Sequence, residues 1–271
     1  MSPYSAVLKA NFQVQLQYRA AAWAGIGTQL FFGFIKVMIF TGFFQSSVRR
    51  QPMDFSQVID YLWLGQALLL ILPFRIDREL TQLIRTGNLA YELSRPVDLY
   101  LFWYFRALAV RAGSVFLRVA PMIALTMFVF PRIGLENIAL KPPGSLEVFL
   151  FFMLSLSSAF FLAAALSVLM SVTALWTISA EGVDQLLPSF VWIFSGIIIP
   201  LPFFPESLQL VFLFLPFRGM LDIPFRIYNG DLSGMAVFSS LMIQLFWIAA
   251  LVLLGRIMVN RGLKRLIIQG G

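Results

Sequence analysis

Arg75-Ile-Asp-Arg-Glu-Leu-Thr-Gln-Leu-Ile-Arg-Thr-Gly-Asn-Leu-Ala-Tyr-Glu-Leu-Ser-Arg-Pro-Val-Asp98 separates two long apolar stretches. It carries eight charged residues, Arg75, Asp77, Arg78, Glu79, Arg85, Glu92, Arg95 and Asp98. Leu80, Leu83, Ile84, Leu89 and Leu93 recur among them near helical spacing. That spacing predicts a short amphipathic helix. Asp77 is placed to cap its start, and Gly87 to end or bend it. Two readings stay open at this point. The stretch is a solvated connection between two spans, or it is a helix laid into a groove of a soluble partner, with apolar anchors and charged flanks.

Outward from this segment the chain turns apolar. It is 59% hydrophobic and 12% charged over 271 residues, with a mean hydropathy of +0.84. A soluble protein of this length cannot hide so much apolar surface, so the class is integral membrane protein, and apolar spans of helical length make it all-α. The 29 Phe and 6 Trp suit lipid-facing and interfacial positions. The net charge of +7 reflects positive-inside bias and anionic headgroups, and nucleic acid is not an expected partner. With no Cys and no His, thiol catalysis, disulfides, the usual zinc sites and histidine relays are excluded.

A crossing needs about 20 apolar residues. Six candidates are visible, near Ala20 to Phe44, Val58 to Phe74, Leu99 to Phe130, Leu146 to Ala174, Val183 to Leu201 and Met235 to Ile257. Met1 to Arg19 lacks the pattern of a cleavable signal peptide, so the first span is expected to be retained. With both termini cytoplasmic, ten basic residues fall inside: Lys9, Arg19, Arg75, Arg78, Arg85, Arg95, Arg256, Arg261, Lys264 and Arg265. Six fall outside: Arg49, Arg50, Arg132, Lys141, Arg218 and Arg226. The balance favours that orientation.

Phe12-Gln-Val-Gln-Leu-Gln-Tyr18 alternates like a strand, but an isolated strand beside a membrane leaves its backbone unpaired. An interfacial helix is expected instead. Five prolines, at 200, 202, 205, 216 and 224, punctuate the region before the last span. Its apolar run Leu208 to Phe217 is too short to cross. It reads as a re-entrant or surface hairpin, or as an extracellular loop lying on lipid.

Arg111 and Arg118 stand seven apart on one helix face of the third span, with Arg106 nearer its inner end. Cations at such depth face protein or water. They form the wall of a path for an anionic or amphiphilic substrate, or they snorkel and bond carbonyls near the break at Pro121. Ser155, Ala159, Ala163, Ser167 and Ser171 form a small-residue stripe. It predicts close helix packing, within the subunit or between subunits. Glu181 and Asp184 sit in an inner connection, as a turn, a partner contact or salt bridges. There is no phosphate-binding loop of the G-x-x-x-x-G-K-[ST] type and no catalytic constellation.

The chain resembles ABC-2-type permease subunits of bacterial ABC exporters. Carrying the resemblance are Tyr18-Arg19, Ile84 to Val97, Ser195-Gly-Ile-Ile-Ile-Pro-Leu-Pro-Phe-Phe-Pro205, Leu215-Pro-Phe217 and Ile227-Tyr-Asn-Gly230. It implies one permease domain over 1–271 with six transmembrane helices. An interfacial connecting helix would cover 1–19, a cytoplasmic coupling helix 77–95 and outer re-entrant helices 200–232. It implies a second permease subunit, alike or different, and a cytoplasmic ATPase dimer that binds ATP and Mg, so this chain needs no cofactor. Arg78, Leu80, Leu83, Ile84, Arg85 and Glu92 are then the contact candidates for the ATPase. The rival readings are an ion-coupled secondary transporter, which would need ion sites near the midplane, and a non-transporting membrane scaffold.

Overall fold

A computed structural model describes residues 2–86, 88–94, 96–177 and 181–264. Gly87, Arg95 and Arg265 lie outside the described residues, as do the side chains at 90, 91 and 181. Helices α1 to α11 run Pro3–Leu16, Arg19–Ser46, Phe55–Ala67, Arg78–Arg85, Leu89–Leu93, Leu99–Ile123, Leu146–Val172, Glu181–Phe194, Glu206–Leu213, Asp222–Tyr228 and Met235–Leu263. No strand occurs among the described residues. Short 3-10 turns join several helices.

Four of them are long and apolar enough to cross a bilayer: Arg19–Ser46, Leu99–Ile133, Leu146–Leu175 and Met235–Leu263. The second and fifth expected spans form shorter helices. α3 has 13 residues and is followed by a 3-10 turn at Leu69–Ile71, and α8 has 14 with Pro188 inside it. The apolar run of α3 has a different cause from lipid exposure. Every residue from Val58 to Ala67 is buried, with α2, α6 and α10 packed around it. A helix enclosed on all sides reads as apolar all round, as a membrane span does.

Caps explain where the helices start. Asp77 Oδ1 accepts from Leu80 N at 3.1 Å, Asp98 Oδ1 from Leu101 N at 2.9 Å and Ser145 Oγ from Val148 N at 3.2 Å. Each satisfies a donor that the first helical turn leaves free. Pro121 lies inside α6, and the helix beyond Ile123 widens to a π turn over Ala124–Val129 before Gly134 ends it at φ +82°.

α1 runs beside α6 and parallel to it. Tyr4 Oη accepts from Asp98 N at 3.0 Å, and Ser114 Oγ donates to Gln15 Oε1 at 3.0 Å. Gly113 permits the approach: a Cβ there would stand 2.6 Å from Gln15 Cβ. α7 and α11 also run parallel, with Phe151 against Phe238 near one end and Leu175 against Gly262 at the other. The bundle thus has one end holding α4 and an opposite end holding α9 and α10.

α2 meets α3 where Gly33 faces the ring of Trp63, which is 1% exposed. A side chain at Gly33 collides with that ring. Gly33→Val is expected to destabilise the protein by about 1–3 kcal/mol. Gly42→Ala, with nothing within 4 Å, should hold or raise the unfolding midpoint. Thermal unfolding of both variants in the same detergent checks this.

Candidate functional site

The helix expected from the charged interruption is α4, followed by the single turn of α5. Glu79 in its first turn and Arg85 in its last complement the helix dipole. Its start is tied to three other helices of the bundle. Ile76 N donates to Asp184 Oδ1 of α8 at 2.9 Å, and Asp77 N donates to Ser171 Oγ of α7 at 3.0 Å. Arg106 of α6 reaches Asp77 Oδ2 at 3.3 Å and Glu79 Oε2 at 2.5 Å. Glu79 is exposed, so that pair contributes little stability by itself; its effect is to fix where α4 starts.

The candidate contact residues divide into two faces. Leu80 and Ile84 are 2% and 5% exposed, and pack into this chain's own core together with Leu89. Glu92 is buried and accepts from Trp103 Nε1 at 2.8 Å. Arg78 and Arg85 are exposed and Leu83 is half-buried. The apolar face expected to meet a partner is therefore largely the face that docks α4 on the bundle. Asp184 likewise serves its own chain, by holding Ile76.

Beneath α4 lies a cavity of about 520 Å³ between α1, the 70–80 segment, α6 and α7. Asn11, Gln15, Asp77, Arg106, Arg111 and Ser114 supply its polar lining. Arg111 is held by its own chain: it donates to Ile71 O at 3.1 Å, to Ala107 O at 3.3 Å and to Ser167 Oγ. Arg118 is different. Its guanidinium lies over Gly25 of α2, and it forms no ion pair among the described residues. Lys36 donates to Ile197 O at 2.6 Å.

The small-residue stripe is buried along its whole length, with Ser155, Ala159 and Ala163 at 0% exposed. Four residues advance a helix by about 40° beyond a full turn, so the stripe winds round α7. Ser155 Oγ accordingly meets Gln244 of α11 at 3.0 Å, while Ser167 meets Arg111 and Ser171 meets Asp77. The stripe packs within the subunit.

At the opposite end stands a charged cluster that reading the sequence missed. Asp222 is fully buried, accepts from Tyr61 Oη at 3.2 Å, and lies 3.6 Å from Arg226 and 4.0 Å from Arg218. Arg226 also pairs with Asp231 at 2.5 Å. Nearby, Asp60 accepts from Lys141 N at 2.8 Å, and Tyr228 Oη donates to Lys141 O at 2.7 Å. Arg218, Asp222 and Arg226 are spaced by four in sequence, with alternating sign. That spacing is the signal that would have revealed them. Gly196, at φ +85°, has no room for a Cβ beside the Tyr61 hydroxyl.

Asp77 has two separable tasks, capping α4 and pairing with Arg106. Asp77→Ala is expected to cost about 0.5–2 kcal/mol through the lost cap, seen as faster amide hydrogen exchange in α4. Asp77→Asn keeps a capping oxygen and should exchange at nearly the native rate. Equal exchange in the two variants would show that the ion pair, not the cap, fixes α4.

Neither the curated proteins nor the solved structures contain a significant match to this chain. A family profile described as ABC-2 family transporter protein matches residues 55–270. That range takes in the α4 platform, the cluster at the opposite end and three of the four long helices. The chain belongs to the ABC-2 family of transporter proteins.

Proposed function

We propose that this chain is the permease subunit of an ATP-driven exporter. It moves a hydrophobic or amphiphilic substrate, drug-like or lipid-like, outward while a separate ATPase dimer hydrolyses ATP. Family membership and the apolar helices give the coarser part, a multi-pass membrane component of an ABC transporter. The reading of α4 and α5 as the coupling element rests on one observation. α4 presents Arg78, Gln82 and Arg85 outward, while its start is bonded to α6, α7 and α8. A push on its exposed face reaches three elements of the bundle through polar contacts a few residues apart.

In this reading α3 with the turn after it, and α8 with the irregular segment through Pro200, complete two short crossings and bring the count to six. Short crossings are tolerated where protein rather than lipid surrounds the backbone, as it does around α3. Both termini face the cytoplasm of a bacterial cell. α1 is the connecting helix and 200–232 the outer re-entrant region. A second permease, the same chain or another, completes the path. Arg118, over Gly25 and without an ion-pair partner among the described residues, is the candidate for the path or the permease contact. Arg111 borders the inner cavity but spends its donors on its own chain.

An ion-coupled carrier holds its ion near the bilayer midplane with carboxylates or unwound backbone carbonyls. Asp222 is flanked by two arginines and Asp60 is held by the Lys141 amide. Family membership is what favours the ATP-driven reading.

Leu83→Asp and Arg85→Glu alter the exposed side of α4, and each should cost the ATPase contact about 2 kcal/mol or more if it sits at a hot spot. The expected result is loss of ATPase copurification and of transport, with membrane insertion unchanged. Ile84→Asp instead should lower the yield of folded chain, since Ile84 is a core residue. Normal transport in both Leu83→Asp and Arg85→Glu would remove the coupling assignment.

A further inference from the structure

At the end of the bundle remote from α4, a cavity of about 530 Å³ lies between α9, α10 and the start of α11. One wall is apolar, with Leu210, Leu213 and Ile243, and another is charged, with Arg218, Asp222 and Arg226. The charges are unevenly matched. Arg226 closes on Asp231 at 2.5 Å and shares Asp222 at 3.6 Å. Arg218 is left with Asp222 Oδ2 at 4.0 Å. Arg218 is 6% exposed, and its Nε is buried without a hydrogen-bond partner, as is Asp222 Oδ2.

A guanidinium carries five N–H donors in a planar fork that matches an oxyanion. Burying the Nε–H unmade is costly, and an anionic oxygen bonded to it removes that cost against the repulsion of Asp222. Glu206, exposed at the cavity wall, repels a second negative charge. The apolar wall beside the arginine suits an alkyl chain.

We propose that this cavity binds an amphiphile with a monoanionic head, a carboxylate or phosphodiester, which docks on Arg218 while its chain lies along Leu210, Leu213 and Ile243. The ligand comes either from the surrounding bilayer or from a free amphiphile. The site needs no ATPase, so its failure leaves the coupling reading of α4 untouched.

The test is equilibrium binding of radiolabelled dodecanoate to the full-length chain in phosphatidylcholine nanodiscs, corrected for empty discs. Dodecyltrimethylammonium serves as the chain-matched competitor of opposite charge. Dodecanoate should bind saturably and resist that competitor. Arg218→Gln should weaken binding at least tenfold. Ser239→Trp fills the cavity from α11 and removes none of the ion pairs, so it carries the test if Arg218→Gln fails to fold. Arg132→Gln, exposed outside the cavity, should bind as the native chain does. Displacement in phosphatidylglycerol nanodiscs supports the site with bilayer lipid as its source, and persistence there supports it with a free amphiphile. The inference is overturned if dodecanoate shows no saturable binding, or if folded Arg218→Gln and Ser239→Trp both bind it as tightly as the native chain.

Discussion

Lys36, Arg111 and Trp63 each donate to a carbonyl that no helix uses. Lys36 bonds Ile197 O in the irregular segment after α8, Arg111 bonds Ile71 O at the end of a 3-10 turn, and Trp63 Nε1 bonds Ile138 O at the end of another. In an apolar bundle a free carbonyl has no water to turn to, so a donor from a neighbouring helix must close it. The breaks after α8 and α3 are each met by such a donor. The breaks that make α3 and α8 short, and the cations that lie deep in α2 and α6, are two halves of one arrangement. Removing either half leaves a buried polar group without a partner, which costs more than the bond itself contributes.

Much of the helical pattern was legible in the sequence because the apolar period, the caps and the proline breaks are local properties. Asp77, Asp98 and Asp54 stand where helices begin, and the amphipathic period of 78–93 gave α4 and α5. Legibility failed wherever the question was what a side chain faces. Leu80 and Ile84 announce a buried face, and nothing in their spacing says whether it is buried by this chain or another. The composition of α3 does not say whether protein or lipid surrounds it, because complete enclosure and lipid exposure select the same residues. α1 gave a helix, yet its course along α6 depends on Gly113, Ser114 and Tyr4 meeting across some hundred residues of sequence.

The candidate site was half legible for the same reason. Arg78 and Arg85 stay on the surface as their charge dictates, while Glu92 turns inward to Trp103. The cluster around Asp222 is visible in the sequence as Arg-Asp-Arg at intervals of four, but its burial depends on Tyr61, 161 residues away. The two ends of the bundle differ in kind. At the α4 end the charges are shared between exposed and half-buried groups, and at the other end Arg218 and Asp222 are buried while Arg226 and Asp231 are half-buried. The first arrangement suits a surface that meets and releases a partner; the second suits a fixed frame around a cavity.

The π turn at Ala124–Val129 joins α6 to the 3-10 turn Phe130–Ile133. Below it the helix holds Arg106 and Arg111 toward α4 and the inner cavity; above it Phe130 stacks on Phe34 and meets Trp63 edge-on. A π turn accommodates one residue more than the α geometry requires. Losing one residue there would return the turn to α geometry and leave the facing of the segments on either side nearly unchanged. Relatives with one residue fewer at this point would then keep both the α4 platform and the aromatic contact at the far end, and lose only the π turn.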